Sequence, residues 1–252
     1  MVNIIKRLKR SDRRERAASG LFVMSLHKSG THLINRILEQ LSLKMVSSGP
    51  GTGVSAFCSL EDKEYVWSHH NPGQDVFDLI ETGEVKAIFH FRDPRDVVVS
   101  RFHWQHPDNT IVTNVSREFM KKVHARFEDD QEFLQFIIKG EMHAPHEISF
   151  VDQYRLSRGL LFHPNVFKTN FETLVGSKGG GSDAAQIKMI GDLLNYLELD
   201  DDAQEIGRRA YSTESVTFDT GQIGRYKEVF SEETEHLFQK LHGDLLKDYG
   251  YS

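Results

Sequence analysis

Hydrophobic positions along the chain change their period several times, and each change marks an element. Residues 21–25, LFVMS, form a nearly unbroken apolar run, as in a strand buried on both faces. Leu33, Ile34, Ile37, Leu38 and Leu41 then recur at helical spacing, and the polar stretch LHKSGTH, residues 26–32, joins the two. Residues 47–57, SSGPGTGVSAF, have no period and read as a glycine-rich loop. EYVWSHH alternates weakly and reads as a strand ending at a histidine pair. KAIFHF, residues 86–91, is a clearer buried strand, and RDPRDVVVSRFHW follows it with Asp93 and Pro94 where an N-cap and a first helical turn are expected. Residues 116–160 are mostly helical by pattern, interrupted by HAPH near 143–146. NVFKTNF, residues 165–171, is a third good strand. After SKGGGSD at 177–183, read as a flexible loop, Ile187, Ile190, Leu194 and Leu197 mark a helix. A last helix carries Ser231 as its cap, acids in its first turn, and Leu237, Leu241 and Leu245 on one face.

Strands alternating with helices predict an α/β fold: a central, mainly parallel sheet with helices on both faces and ligands at the carboxyl ends of the strands. The length of 252 residues suits one domain over 20–252, preceded by a basic segment at 1–19. No apolar run approaches the roughly 18 residues a membrane span needs. Cys58 is the only cysteine, which excludes an intrachain disulfide and a four-cysteine zinc site and makes a cytoplasmic location the expectation. The net charge of −6 hides an asymmetry, because residues 1–16 hold seven Lys or Arg against two acids. Such a segment can touch an acidic membrane surface, but a solvated, frayed terminus is the plainer expectation, and no nucleic-acid partner is expected.

The junction at 26–32 carries the first candidate chemistry. A strand, a short turn with glycine and then a helix directs backbone N–H groups and the positive end of a helix dipole at an anion. It is not the common nucleoside-triphosphate loop, GxxxxGK[ST], because Lys28 precedes Gly30 instead of following a glycine.

Two separated segments resemble the two cofactor signatures of one family. LHKSGTHL is similar to the PKSGTTW loop of sulfotransferases that use 3′-phosphoadenosine 5′-phosphosulfate (PAPS), and FRDPRDVVVSRFHW is similar to their RNPKDVVVSYYHF segment. Weaker likenesses follow in NFETL, in TGQIGRYKEVFSEE and in the ending LLKDYGY, so the resemblance spans roughly residues 20–251. It implies the P-loop-like sulfotransferase architecture and transfer of a sulfuryl group to a hydroxyl or amine, with release of adenosine 3′,5′-bisphosphate (PAP) and no metal.

Carried over residue by residue, the resemblance places Lys28 beside the leaving phosphate, where charge builds as the bond to sulfur breaks. Ser29, Gly30, Thr31 and His32 would supply N–H groups and hydroxyls to the 5′-phosphosulfate. His32 and Leu33 stand where the family has Thr-Trp, which removes an aromatic wall beside the adenine. Arg92 and Ser100, eight residues apart, match the Arg and Ser that hold the 3′-phosphate. Arg95, Asp96 and Arg101 read instead as helix charge balance. Phe171 stands at the tyrosine of YEDL, either flanking adenine or packing in the core. Asp219 and Thr220 replace an Arg-Lys pair before Gly221, so Gly224, Arg225 and Lys227 become the candidates nearby.

Proton removal from the acceptor calls for a base with a pKa near working pH, and WSHHNP offers His70 and His69. His70, at the right distance before Pro72, is slightly favoured over His69. Acids within 57–64 or 141–152 are alternatives. HWQH at 103–106 and HAPH at 143–146 pair histidines but show no third ligand by spacing, so no metal is expected. The acceptor is open among a small molecule, a lipid and a carbohydrate, and oligomeric state is unread. Two rival functions remain: an ATP-dependent small-molecule kinase, and a non-catalytic nucleotide-binding protein on the same fold.

Overall fold

The computed structural model describes residues 20–58, 60, 63–106, 114–140, 149–211 and 221–251, without the side chains of 58 and 114–117. Among these residues five strands form one parallel sheet in the order β2-β3-β1-β4-β5: β1 (Gly20–Ser25), β2 (Lys44–Ser47), β3 (Glu64–Ser68), β4 (Val85–Phe91) and β5 (Val166–Asn170). Between and after them run α1 (Thr31–Gln40), α2 (Ser55–Cys58), α3 (Gln74–Glu81), α4 (Pro94–Gln105), α5 (Asn114–His124), α6 (Asp130–Ile138), α7 (Phe150–Leu156), α8 (Arg158–Phe162), α9 (Phe171–Leu174), α10 (Asp183–Leu197), α11 (Ala203–Ala210), α12 (Tyr226–Val229) and α13 (Glu232–Asp248).

Side-chain alternation in the strands splits the core in two. Phe22 and Met24 of β1 point into one buried cluster with Phe89, Phe133, Tyr154 and Phe238, while Leu21 and Val23 point into another with Ile34, Ile37, Ile88 and Leu193. Both faces of the sheet are therefore covered, as the continuous apolar runs require. The order of strands reverses direction beside β1: the chain goes from β1 outward to β2 and β3, then crosses to β4. Such a reversal opens a crevice at the carboxyl ends of β1 and β4. No described helix is long and apolar enough to cross a membrane.

Three local expectations change. β2 was not anticipated, because KMVS at the sheet edge is exposed at Lys44, Met45 and Ser47 and lacks a core-facing alternation. The glycine-rich stretch at 47–57 runs into the short helix α2. The run at 177–183 is packed rather than loose: a Cβ on Gly179 would lie 2.1 Å from Val175 and 2.6 Å from the Gly221 carbonyl, so glycine here allows backbones to meet. The Ile223 amide donates to the Gly179 carbonyl at 3.0 Å. Residues 1–19, the HAPH interruption, Asp219 and Thr220 lie outside the described residues.

Candidate functional site

Two strand–turn–helix junctions, after β1 and after β4, meet at the carboxyl edge of the sheet. The first is closed by its own backbone. The Leu26 amide donates to the His90 carbonyl at 3.1 Å, and Ser29 gives both its amide (3.2 Å) and its hydroxyl (2.7 Å) to the Leu26 carbonyl. Ser29 is fully buried, and its hydroxyl closes the turn. His90 braces the turn from below: Nε2 donates to the Ser29 carbonyl at 3.0 Å, and Nδ1 meets the Thr169 hydroxyl at 2.8 Å.

Beyond this brace the backbone turns left-handed at Lys28 (φ 63°) and Gly30 (φ 90°). Gly30 is doubly required, because a Cβ there would also lie 2.4 Å from the Phe171 ring. Gly30 is the N-cap of α1, with no side-chain cap and no acid in the first turn. The Leu33 amide donates to the Gly30 carbonyl at 2.8 Å, which leaves the amides of Thr31 and His32 at the start of α1 without a capping side chain, the arrangement that receives an anion. Thr31 joins Ser25, hydroxyl to hydroxyl at 2.8 Å, and the Trp67 indole N–H donates to Ser25 Oγ at 3.1 Å. His32 is exposed on the first turn, and Leu33 is in the core.

Lys28 lies with Nζ 3.8 Å from the centre of the Trp104 ring. Three histidines gather beside it. His27 stacks on His69 at 3.8 Å between centroids and meets His70 edge-on at 6.1 Å, while Trp67 packs against His69 at 4.5 Å. His69 donates from Nδ1 to the Ser25 carbonyl at 2.7 Å, which fixes its tautomer. Burial pushes His69 down to about 4, against the support of that hydrogen bond, with His70, Lys28 and Arg101 adding repulsion. His27 is pushed well below its ordinary value by burial, then by His69 and Arg101. Burial also lowers His70, the less enclosed of the pair. All three imidazoles are neutral at pH 7.

The second junction is filled by side chains. Asp93 caps α4 by accepting from the Arg95 amide at 2.9 Å and pairs with the Arg95 guanidinium at 2.8 Å. The Asp96 carboxylate is almost fully buried and accepts from the amides of Gly224 (2.8 Å) and Tyr226 (3.1 Å) and from Arg92 Nη2 (3.3 Å). Arg92 also donates to the Gln222 carbonyl at 2.7 Å, and its guanidinium lies 4.3 Å above the Phe171 ring. Its Nε is buried and meets no acceptor among the described residues. Glu172 accepts from the Asp93 amide at 2.9 Å and from Tyr251 at 2.7 Å, and burial raises its pKa.

The expected residues therefore fall into groups. Lys28, His69 and His70 come together around His27, and Arg92, Phe171 and Gly224 come together around Asp96. Ser100 lies on α4, half-buried, about two turns from its start. Arg225 contacts His103 Nε2 at 3.0 Å, one turn beyond Ser100, whereas Lys227 is exposed. Phe171 takes the core-packing role, wedged between Gly30 and Arg92. Arg95, Asp96 and Arg101 are all buried, and Asp96 organises the 221–226 loop, which charge balance alone does not capture. Sequence reading missed His27, His90 and the Trp104 contact. For His27 the signal was adjacency to Lys28; for His90 there was none, since only the strand register sets it under Ser29.

No protein-family model matches the sequence, and no curated protein matches it. Among solved structures the chain is similar to mouse sulfotransferase SULT7A1 complexed with PAP, at 17% identity and a TM-score of 0.65, covering 91% of this chain and 84% of that one. It is also similar to retinol dehydratase in complex with androsterone and inactive cofactor PAP (14% identity, TM-score 0.56, 94% and 85% covered) and with retinol and PAP (16%, 0.55, 94% and 86%). The resemblance of the two signature segments and these likenesses agree on architecture: the chain has the sulfotransferase fold.

Proposed function

We propose that the chain is a PAPS-dependent sulfotransferase that moves a sulfuryl group to a hydroxyl or amine by in-line displacement and releases PAP. The observation that carries the reading is Lys28, held left-handed in an uncapped anion turn beside a neutral histidine pair and next to a second junction with Arg92 and Ser100. The uncapped amides of α1 and the Lys28 ammonium would receive the 5′-phosphosulfate, and Ser100, Arg92 and Arg225 the 3′-phosphate. Lys28 then stabilises charge developing on the departing phosphate oxygen.

His70 is the better base of the pair. His69 has a face covered by His27, its Nδ1 committed to Ser25, and a pKa near 4 that makes it a poor proton acceptor at neutral pH. His70 is less enclosed, and its Nδ1 is buried without a partner among the described residues, so Nε2 is the nitrogen that can meet an acceptor. His69 holds the wall against which His70 stands. The similar structures that hold androsterone and retinol favour a small, largely apolar acceptor, and the cytoplasm is the proposed setting. The test is transfer from radiolabelled PAPS to a panel of phenols, alcohols and amines, with PAP release followed in parallel. Labelled product with stoichiometric PAP supports the reading; phosphoryl transfer from ATP would replace it with the kinase, and nucleotide binding without transfer to any acceptor would replace it with a binding protein.

A further inference from the structure

HWQH at 103–106 had no third ligand by sequence spacing, but folding supplies one from two other elements. His106 is the residue that closes α4, His124 the last residue of α5, and Asp130 the first of α6. Asp130 Oδ1 lies 3.2 Å from His124 Nε2 and 3.7 Å from His106 Nε2, and one donor atom from each residue falls within 4.8 Å of the other two. We propose that His106, His124 and Asp130 form a binding site for a divalent transition metal of the zinc class.

The spacing about Asp130 fits the chemistry. Bonds of about 2.0–2.1 Å at tetrahedral angles set neighbouring donors about 3.3–3.4 Å apart, so the Asp130 distances need only a few tenths of an ångström of adjustment. Two imidazoles and one carboxylate suit zinc, cobalt or iron(II) far better than magnesium or calcium, which prefer all-oxygen shells. Three protein ligands leave a fourth position to water. The rings are also pre-positioned: they cross edge-to-face at 4.9 Å, with Phe102 packed on His106 at 5.5 Å and Phe133 on His124 at 5.1 Å. Phe102 and Phe133 themselves touch in the core at 5.7 Å, so both imidazoles rest on fixed walls. An ion here would tie the end of α4, which carries Ser100 and Trp104, to α5 and α6.

Without a metal the same atoms make a His124–Asp130 hydrogen bond, and the experiment separates the two. Zinc chloride is titrated into the metal-stripped full chain by calorimetry, with cobalt chloride followed by its visible absorption and magnesium chloride as the contrast. The expected result is one zinc per chain, a cobalt spectrum of low coordination number, and no response to magnesium. His124→Ala and, at the exposed carboxylate, Asp130→Asn should each weaken zinc by at least about tenfold, because even outer-shell changes at metal sites cost that much. His70→Ala should leave it unchanged, separating this site from the histidines beside Lys28. Zinc binding unaltered in both Asp130→Asn and a correctly folded His124→Ala, or lost in His70→Ala, would overturn the proposal.

Discussion

The two junctions share one plan and use it in opposite ways. After β1 the turn spends its own serine and a buried histidine on bracing the backbone, and leaves the first turn of α1 without a side-chain cap. After β4 the helix is capped by Asp93, and its first-turn carboxylate, Asp96, is engaged by two amides and Arg92. An anion can therefore be met by backbone at the first junction and only by side chains at the second. The difference teaches that similar strand–turn–helix patterns are separated by what occupies the N-cap: glycine opens the site, aspartate closes it.

The sharpest way to break this contrast is Lys28→Ala, expected to lower turnover about 100- to 1,000-fold while shifting thermal unfolding little, since the side chain is half-exposed and the backbone brace does not use it. A large loss of stability with activity retained would reverse the roles assigned here. At the second junction the order of effects should invert. Asp96→Ala strands two half-buried amides and the buried Arg92 and is expected to cost about 3 kcal/mol in chemical denaturation; a cost under about 1 kcal/mol would contradict its place as organiser of the 221–226 loop.

Gly30→Ala should cost about 2–3 kcal/mol, combining the left-handed backbone with a collision against Phe171. If Phe171→Ala in the same chain did not recover part of that cost, the wedge between turn and ring would be wrong.

Acid should weaken the first junction in particular. His69 titrates near 4 and His90 near 3 when folded, against about 6.5 unfolded. Between those values the unfolded chain binds protons that the folded chain excludes, so stability rises with pH from about 4 to 6.5 and is lost as pH falls through that window. Thermal unfolding from pH 4.5 to 7.5 checks this, and a flat profile would count against the buried, neutral imidazoles. The acid limb of turnover should likewise fall below pH 6.5, because burial lowers His70 and a base must be unprotonated to act.

Much of the architecture was legible because β1, β4 and β5 are apolar runs and α1 keeps a strict helical period. β2 was not, since an exposed edge strand needs no apolar pattern. The glycines at 179–181 looked loose because sequence cannot show the Val175 side chain and the Gly221 carbonyl pressing against them. In the site, Lys28, Gly30, Arg92 and Ser100 stand out by local motif. Asp96 and His90 do not: their roles come from partners 128 and 61 residues away, Gly224 and Ser29, brought close only by the fold. The same limit hid the gathering of His106, His124 and Asp130.

The most direct test of the central claim compares PAP with AMP, which lacks the 3′-phosphate, by calorimetric titration of the wild-type chain and of Ser100→Ala, beside ADP and ATP. The account predicts that PAP binds more tightly than all three, and that the substitution narrows the gap between PAP and AMP while leaving AMP unchanged. Equal binding of PAP and AMP, or tighter binding of ATP, would contradict it.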